Sequence, residues 1–147
     1  MKLNKEKKNK ALAIIGATSS GKTAMAVNLA LDFNAEIISA DSRQVYKGMD
    51  IGTGKDLSEY KITTKKGTKE IPHHLIDVCN PRDTFNLSKY LKLANQALNE
   101  VSAKKSLPII VGGTGLYIQA LIDNYQISKV KEKIIFLKCL SNYNIMI

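Results

Sequence analysis

Leu12-Ala13-Ile14-Ile15-Gly16-Ala17-Thr18-Ser19-Ser20-Gly21-Lys22-Thr23-Ala24-Met25-Ala26-Val27-Asn28-Leu29-Ala30 is the stretch that decides the fold. Its centre, Gly16 to Thr23, fits the phosphate-binding pattern G-x-x-x-x-G-K-[ST] at every fixed position. Glycines let the backbone curl around an anion with successive N–H groups pointing inward. The lysine adds a mobile positive charge, and the hydroxyl can ligate Mg²⁺. The flanks agree with the pattern. Leu12 to Ile15 reads as a buried strand entering the loop, and Ala24 to Ala30 as a helix leaving it, with its positive N-terminal dipole aimed at the phosphate. A bare Gly/Ser turn explains the composition but not these flanks. The stretch predicts a domain that binds a phosphorylated ligand.

Working outward, Glu36 to Ala40 reads as a short apolar strand ending at Asp41. Ser42 to Lys47 can make a helical turn, and Gly48 to Asp56, with glycine at 48, 52 and 54, reads as an irregular loop. Tyr60 to Thr64 and Lys69 to Ile71, on either side of Lys65-Lys66-Gly67-Thr68, predict an exposed hairpin. His74 to Val78 reads as a further strand, and Asn80-Pro81-Arg82-Asp83 carries turn chemistry. From Leu87 to Lys105 apolar residues recur at helical spacing, predicting one long amphipathic helix. Pro108 to Val111 is a buried strand stopped by Gly112-Gly113, and Thr114 to Ile122 resumes as a helix. Strands alternating with helices predict an α/β fold of the P-loop NTPase-like kind, a parallel sheet flanked by helices with ligands at the strands' carboxyl ends. The loop, Asp41 and Gly112-Gly113-Thr114 all fall at such ends.

At 147 residues the chain suffices for one such domain. The expected division is a basic tail over residues 1–10, the P-loop α/β domain over 11–127 and a C-terminal tail over 128–147. The formal net charge of +9 is concentrated in the tails. Residues 1–10 carry five Lys and one Glu, residues 129–147 four Lys and one Glu, and the remainder is only +2. Charge alone therefore does not name a nucleic-acid partner. Cys79 and Cys139 lack ligand-like companions, which argues against a zinc site or a disulfide framework. The apolar stretch Ala11 to Ala17 runs into the loop without a cleavage site, and no apolar run approaches the ~20 residues of a membrane span. A cytoplasmic protein with no membrane partner is expected.

Asp41 opens the run Asp41-Ser42-Arg43-Gln44-Val45-Tyr46-Lys47-Gly48-Met49-Asp50-Ile51-Gly52-Thr53-Gly54. It could simply cap the following turn. Beside a phosphate loop, the same carboxylate could hold Mg²⁺ through water or take a proton from a nucleophile. His73 and His74 look like a metal pair. Neighbours on a strand point to opposite faces, so one is expected to be packed or hydrogen-bonded and the other exposed. Tyr46 and Tyr117 could stack on bases, with core packing the alternative.

The phosphate loop, the Asp41–Gly54 run, Pro72-His73-His74-Leu75-Ile76-Asp77 and Val111-Gly112-Gly113-Thr114-Gly115-Leu116-Tyr117 stand in the order found in tRNA dimethylallyltransferases, and the chain resembles that family over about residues 11 to 124. Gly54 and Asp56 depart from the Ala and Pro frequent there. The resemblance implies transfer of a dimethylallyl group from dimethylallyl diphosphate to N6 of the adenosine 3′ to the anticodon, releasing diphosphate. It implies that Gly16, Ala17, Thr18, Ser19, Ser20, Gly21, Lys22 and Thr23 bind the diphosphate, that Lys22 neutralises it and that Thr23 helps hold Mg²⁺. Asp41 becomes the general base, and Asp41, Ser42, Arg43, Gln44 and Thr114 meet the tRNA. The implied partners are dimethylallyl diphosphate and the tRNA anticodon stem-loop, with the protein a monomer.

Members of that family continue with a helical tRNA-gripping insertion and a return segment. Neither is recognised after Asn124, and residues 128–147 are expected to lie outside the family pattern. The expectation is a truncated or frame-shifted product with an incomplete sheet and little activity alone. Two other readings stand beside it. One is a small-molecule phosphotransferase with Asp77 organising Mg²⁺, disfavoured because Arg43 and Arg82 are the only arginines and supply no lid. The other is a non-catalytic remnant that binds diphosphate.

Overall fold

The computed structural model describes residues 10–65 and 67–125. The expected tails, apart from Lys10, lie outside them. Four parallel strands form the sheet in the order β1-β6-β2-β5, where β1 is Leu12–Ile15, β2 Ala35–Ser39, β5 His73–His74 and β6 Leu107–Gly112. Helix α1 (Lys22–Phe33) covers one face, and α2 (Leu87–Ala103) with α3 (Gly115–Ile122) covers the other. A separate antiparallel hairpin joins β3 (Lys61–Thr64) to β4 (Gly67–Glu70).

The central strands explain the layering. Every residue of β2 is buried, as are five of the six in β6. Their side chains alternate between faces. Ile37 and Ile109 pack with Ala26, Val27 and Ala30 of α1, whereas Ile38 and Ile110 pack with Tyr90, Leu91 and Ala94 of α2 and Ile118 of α3. Tyr90 stacks on Tyr117 with ring centroids 4.1 Å apart, which places Tyr117 in the core. Asn86 caps α2 by accepting from the Lys89 backbone N–H at 3.0 Å.

Two expectations about strands are corrected. Strand β1 is not a buried strand. It pairs only with β6 among the described residues, and Leu12 and Ile15 are 38% and 58% exposed. An apolar run signals a strand without saying whether anything pairs with its second edge. The strand expected over His74 to Val78 stops at His74, because Leu75 and Asp77 take left-handed backbone at φ 65° and 54°. The segment then turns under the loop after β2. The Asp77 and Val78 N–H groups donate to the carbonyls of Gln44 and Val45, and the Lys47 N–H donates to the Cys79 carbonyl. Half-buried Tyr46 bridges to Cys79 there.

The expected division of the two histidines also fails, since both are half-buried and both are hydrogen-bonded. His73 lies 4.4 Å from the Tyr60 ring and its Nδ1 is 3.1 Å from the Ile71 carbonyl. His74 Nε2 is 2.8 Å from Glu36, which also accepts from Lys104 Nζ at 3.1 Å. No group of three or more metal-ligating side chains exists among the described residues. No helix among them is long and apolar enough to cross a membrane.

Candidate active site

The carboxyl ends of β1, β2 and β6 converge on a cavity of about 370 Å³. One wall is the phosphate loop, from Thr18 to Thr23. The floor is Ser39 and Asp41 at the end of β2 and Val111, Gly112 and Gly113 at the end of β6. The opposite wall comes from Gln44, Thr53, Gly54, Lys55, Asp56, Glu59 and Tyr60.

The loop closes as its sequence requires. Gly21, the N-cap of α1, sits at φ 77°, a left-handed conformation that a side chain would strain. Ser19 shares it at φ 62°. Lys22 folds back so that its ammonium donates to the Ala17 carbonyl. Lys22 and Thr23 are half-buried, and both line the cavity. Gly16 and Ala17 shape the loop from outside that lining.

Gly112 is dictated by a close approach. A Cβ there would lie 2.2 Å from the Ala40 carbonyl oxygen. That contact belongs to a knot of backbone bonds in which the Ala40 N–H donates to Val111 at 2.7 Å and the Thr114 N–H donates to Ala40 at 3.2 Å. The knot fixes Asp41 against Gly112-Gly113. Asp41 caps its turn, accepting from the Arg43 backbone N–H at 2.9 Å with Arg43 Nε 3.7 Å away, and its side chain still lines the cavity at 17% exposure. Capping and cavity-facing roles therefore coexist in one carboxylate.

Of the residues expected to meet RNA, Asp41 and Gln44 line the cavity, while Ser42, Arg43 and Thr114 do not. Thr114 nonetheless holds the rim, its hydroxyl accepting from the Ser42 backbone N–H at 3.1 Å. Gln44 ties the opposite wall together, its amide donating to the Gly54 carbonyl at 3.2 Å.

Sequence reasoning missed the far wall, above all Lys55. Its side chain is 1% exposed, and its ammonium reaches Asp77 at 2.5 Å, Asp50 at 2.7 Å and the Tyr46 carbonyl at 3.0 Å. Burial alone would lower its pKa. The hydrogen bonds and charges of Asp50 and Asp77 outweigh burial and raise it, so Lys55 is cationic at neutral pH. It clamps the 48–56 loop to the segment after β5. Asp77, offered by the sequence as a metal-organising carboxylate, is committed to this clamp and does not line the cavity.

Asp56 accepts from the Ser58 N–H at 2.8 Å, and that hydrogen bond lowers its pKa. Burial, reinforced by Glu59 and Asp41, pushes the Tyr60 hydroxyl up to about 12, so it stays a neutral phenol. Carboxylates and hydroxyls thus face the loop across the cavity. Tyr60 carried no motif and was legible only as the start of a hairpin.

A parallel sheet with this loop between β1 and α1, and a carboxylate at the end of β2, defines a P-loop-type α/β phosphate-binding domain. Comparison narrows the class. The chain belongs to the IPP transferase family, whose model matches residues 44–139 and so reaches into the tail expected to lie outside the family, and an isopentenyl transferase model matches residues 9–71. It is 50% identical over 123 residues to tRNA dimethylallyltransferase 1 of Syntrophus aciditrophicus, covering 84% of this chain and 39% of that one. The full-length tRNA isopentenylpyrophosphate transferase of Bacillus halodurans shares the fold with a TM-score of 0.73 at 39% identity, covering 93% of this chain and 44% of that one. A eukaryotic dimethylallyltransferase captured acting on tRNA follows at 0.70 and 30% identity, over 92% of this chain and 33% of that one. The chain spans 39% of the length of its Syntrophus relative.

Proposed function

We propose that this chain carries the diphosphate-binding and proton-accepting core of a tRNA dimethylallyltransferase, acting in the cytoplasm. The observation that carries the reading is that the phosphate loop and Asp41 line one cavity in a chain of this family. The substrate's allylic C1–O bond breaks and a bond forms between C1 and the adenosine N6. The N6 proton passes to Asp41, and diphosphate departs. Such a reaction asks the protein to hold the leaving group, orient the amine and accept one proton. Backbone N–H groups of Thr18 to Thr23 and the Lys22 ammonium hold the leaving group, Lys22 exchanging its Ala17 carbonyl for diphosphate oxygens. Asp41, anchored by the Arg43 N–H, presents its carboxylate to the amine. Ser42, Arg43, Gln44 and Thr114 form the adjoining rim for the tRNA.

The donor set suits Mg²⁺, a hard cation that favours one or two protein oxygens plus ligand phosphate over a full protein cage. The Thr23 hydroxyl, which lines the cavity, is the protein oxygen that would hold it, and the ion would supply neutralisation of the diphosphate. The carboxylate that the phosphotransferase reading would use to organise Mg²⁺, Asp77, is instead bound to Lys55 and does not line the cavity.

The test is calorimetric titration of the chain with Mg²⁺ and dimethylallyl diphosphate, ATP or AMP. Dimethylallyl diphosphate should bind tightest, and Lys22→Ala should remove about 1.5–3 kcal/mol, the worth of a charge-assisted hydrogen bond. Tighter binding of ATP would refute the reading.

A further inference from the structure

The β3–β4 hairpin takes no part in the sheet or the cavity lining, yet it is rooted in both. The Ile71 N–H donates to the Tyr60 carbonyl at 2.7 Å across its base, and both side chains are buried in the core beneath α1. Tyr60 is also cavity wall. Ile62 packs inward against the same core, so the ribbon is anchored on one face. Its other positions, Lys61, Thr63, Lys65 and Gly67 to Glu70, are exposed.

The charge on this ribbon is one-sided. Residues 61–70 carry Lys61, Lys65, Lys66 and Lys69 against Glu70 alone, an excess that more than accounts for the +2 of the chain between its tails. Lys61, Lys65 and Lys69 form no ion pair within 4.0 Å among the described residues, although Glu70 stands opposite Lys61 in register. Unpaired like charges on a two-stranded ribbon repel one another, and such a ribbon has little stability to spare. Meanwhile the cavity lining carries Asp41, Asp56 and Glu59, which repel a phosphodiester, against Lys22, which the phosphate loop holds for the diphosphate, and Lys55, which is already paired with Asp50 and Asp77. A polyanion whose base enters this cavity needs cations outside it. Four strand residues of about 3.3 Å each place the hairpin tip roughly 13 Å along the chain from Tyr60, a length comparable with the Debye length at ~0.1 M salt.

We propose that the β3–β4 hairpin is an electrostatic arm that binds the phosphodiester backbone of the RNA whose reacting base occupies the cavity, with Lys61, Lys65 and Lys69 as its contacts. This rests on the RNA-substrate reading above. The competing explanation is that these lysines only guard an exposed strand edge against pairing with other chains.

The two are separated by anisotropy titrations of the chain with a labelled anticodon stem-loop RNA between about 50 and 200 mM salt. The variant Lys61→Ala/Lys65→Ala/Lys69→Ala should bind about tenfold to a hundredfold more weakly, with a log–log salt slope shallower by about two. Its binding of Mg²⁺–dimethylallyl diphosphate should be unchanged, which also certifies its fold. Substituting the three lysines by arginine should retain the slope, and Glu70→Gln should tighten binding. Wild-type affinity and slope in the alanine variant, or no response to Glu70→Gln, would leave the lysines as edge guards and overturn the inference while the transferase reading stands. A wild-type chain that fails to bind the RNA at the lowest salt would overturn both.

Discussion

Replacing Lys55 by Met keeps the buried stem and removes the charge that three acceptors share. The magnitude follows from who is left exposed. Breaking a fully buried ion pair by deleting one partner costs about 3–5 kcal/mol, because the survivor is stranded. Here the survivors are unequal. The Asp77 side chain is 32% exposed and Asp50 is 67% exposed, so water recovers most of Asp50 and part of Asp77. The expected loss is therefore about 2 kcal/mol, with the stranded Asp77 and the undonated Tyr46 carbonyl as its main sources. For a chain of this size that is roughly 8 °C in Tm. Asp77→Asn should cost about 1–2 kcal/mol and Asp50→Asn under about 0.5, in line with their exposure. Lys55→Met combined with Asp77→Asn should cost at least about 1 kcal/mol less than the two losses added, since they remove one interaction. A pKa raised in the folded state keeps the clamp fully formed below the ordinary lysine value of 10.5 and lets it go only as pH climbs through the higher folded value. The clamp is therefore indifferent to pH across the neutral range. Thermal melts of the four variants supply the check. An Asp50→Asn loss exceeding that of Asp77→Asn, or additive losses in the double variant, would refute the reasoning.

In a full-length or complemented form that is active, Asp41→Asn keeps the size and the cap on the Arg43 N–H but not the basicity, so prenyl transfer should fall by about 10²–10⁴ while calorimetric diphosphate affinity holds. A normal rate would leave Asp41 as a cap only. Gly112→Ala drives a methyl to 2.2 Å from a backbone oxygen with no flexible side chain to yield, and should cost about 3 kcal/mol in chemical denaturation. A loss below about 1 kcal/mol would show that the β2 and β6 ends part easily. Burial pushes the Glu36 pKa up, but hydrogen bonds from His74 and Lys104, with the Lys104 charge, outweigh it and leave the value below 4.5. Its contribution is therefore present above the unfolded value and lost as pH falls through the lower folded one. Glu36→Gln should lose less stability than the wild type between about pH 5 and 3, and parallel acid limbs in pH-dependent melts would contradict this.

What could be read from the sequence was whatever is encoded within a few neighbouring residues. The phosphate loop, the 3.6-residue period of α2 and the apolar blocks of β2 and β6 each carry their own signal, and each forms where its residues place it. The misses all depend on distant partners. Leu12 to Ile15 is as apolar as a core strand, and its edge position reflects only what pairs with it. Lys55 in a glycine-rich loop reads as a solvated charge until Asp50 and Asp77, five and 22 residues away, are folded around it. Glu59 and Tyr60 join the cavity because the hairpin's root is pinned to the core by Ile62 and Ile71.

The instructive miss is the end of β5. His74 to Val78 is short and apolar-rich like a strand, and nothing in Leu75 announces a left-handed residue, since leucine pays sterically for a conformation that glycine or asparagine adopts readily. Tertiary contacts cover that cost. Leu75 is buried among Ile38, Tyr90 and Leu91, and the turned segment donates its backbone N–H groups to Gln44 and Val45. As an extended strand, the segment would have carried Asp77 on toward the carboxyl end of the sheet, where a phosphotransferase keeps its second carboxylate. The left-handed turns divert it beneath the loop and into Lys55. The same two backbone angles that hide the strand's end thus leave Asp41 as the carboxylate at the head of a strand facing the phosphate loop. That suits a reaction needing one proton acceptor and a bound leaving group better than one needing paired carboxylates around a nucleotide.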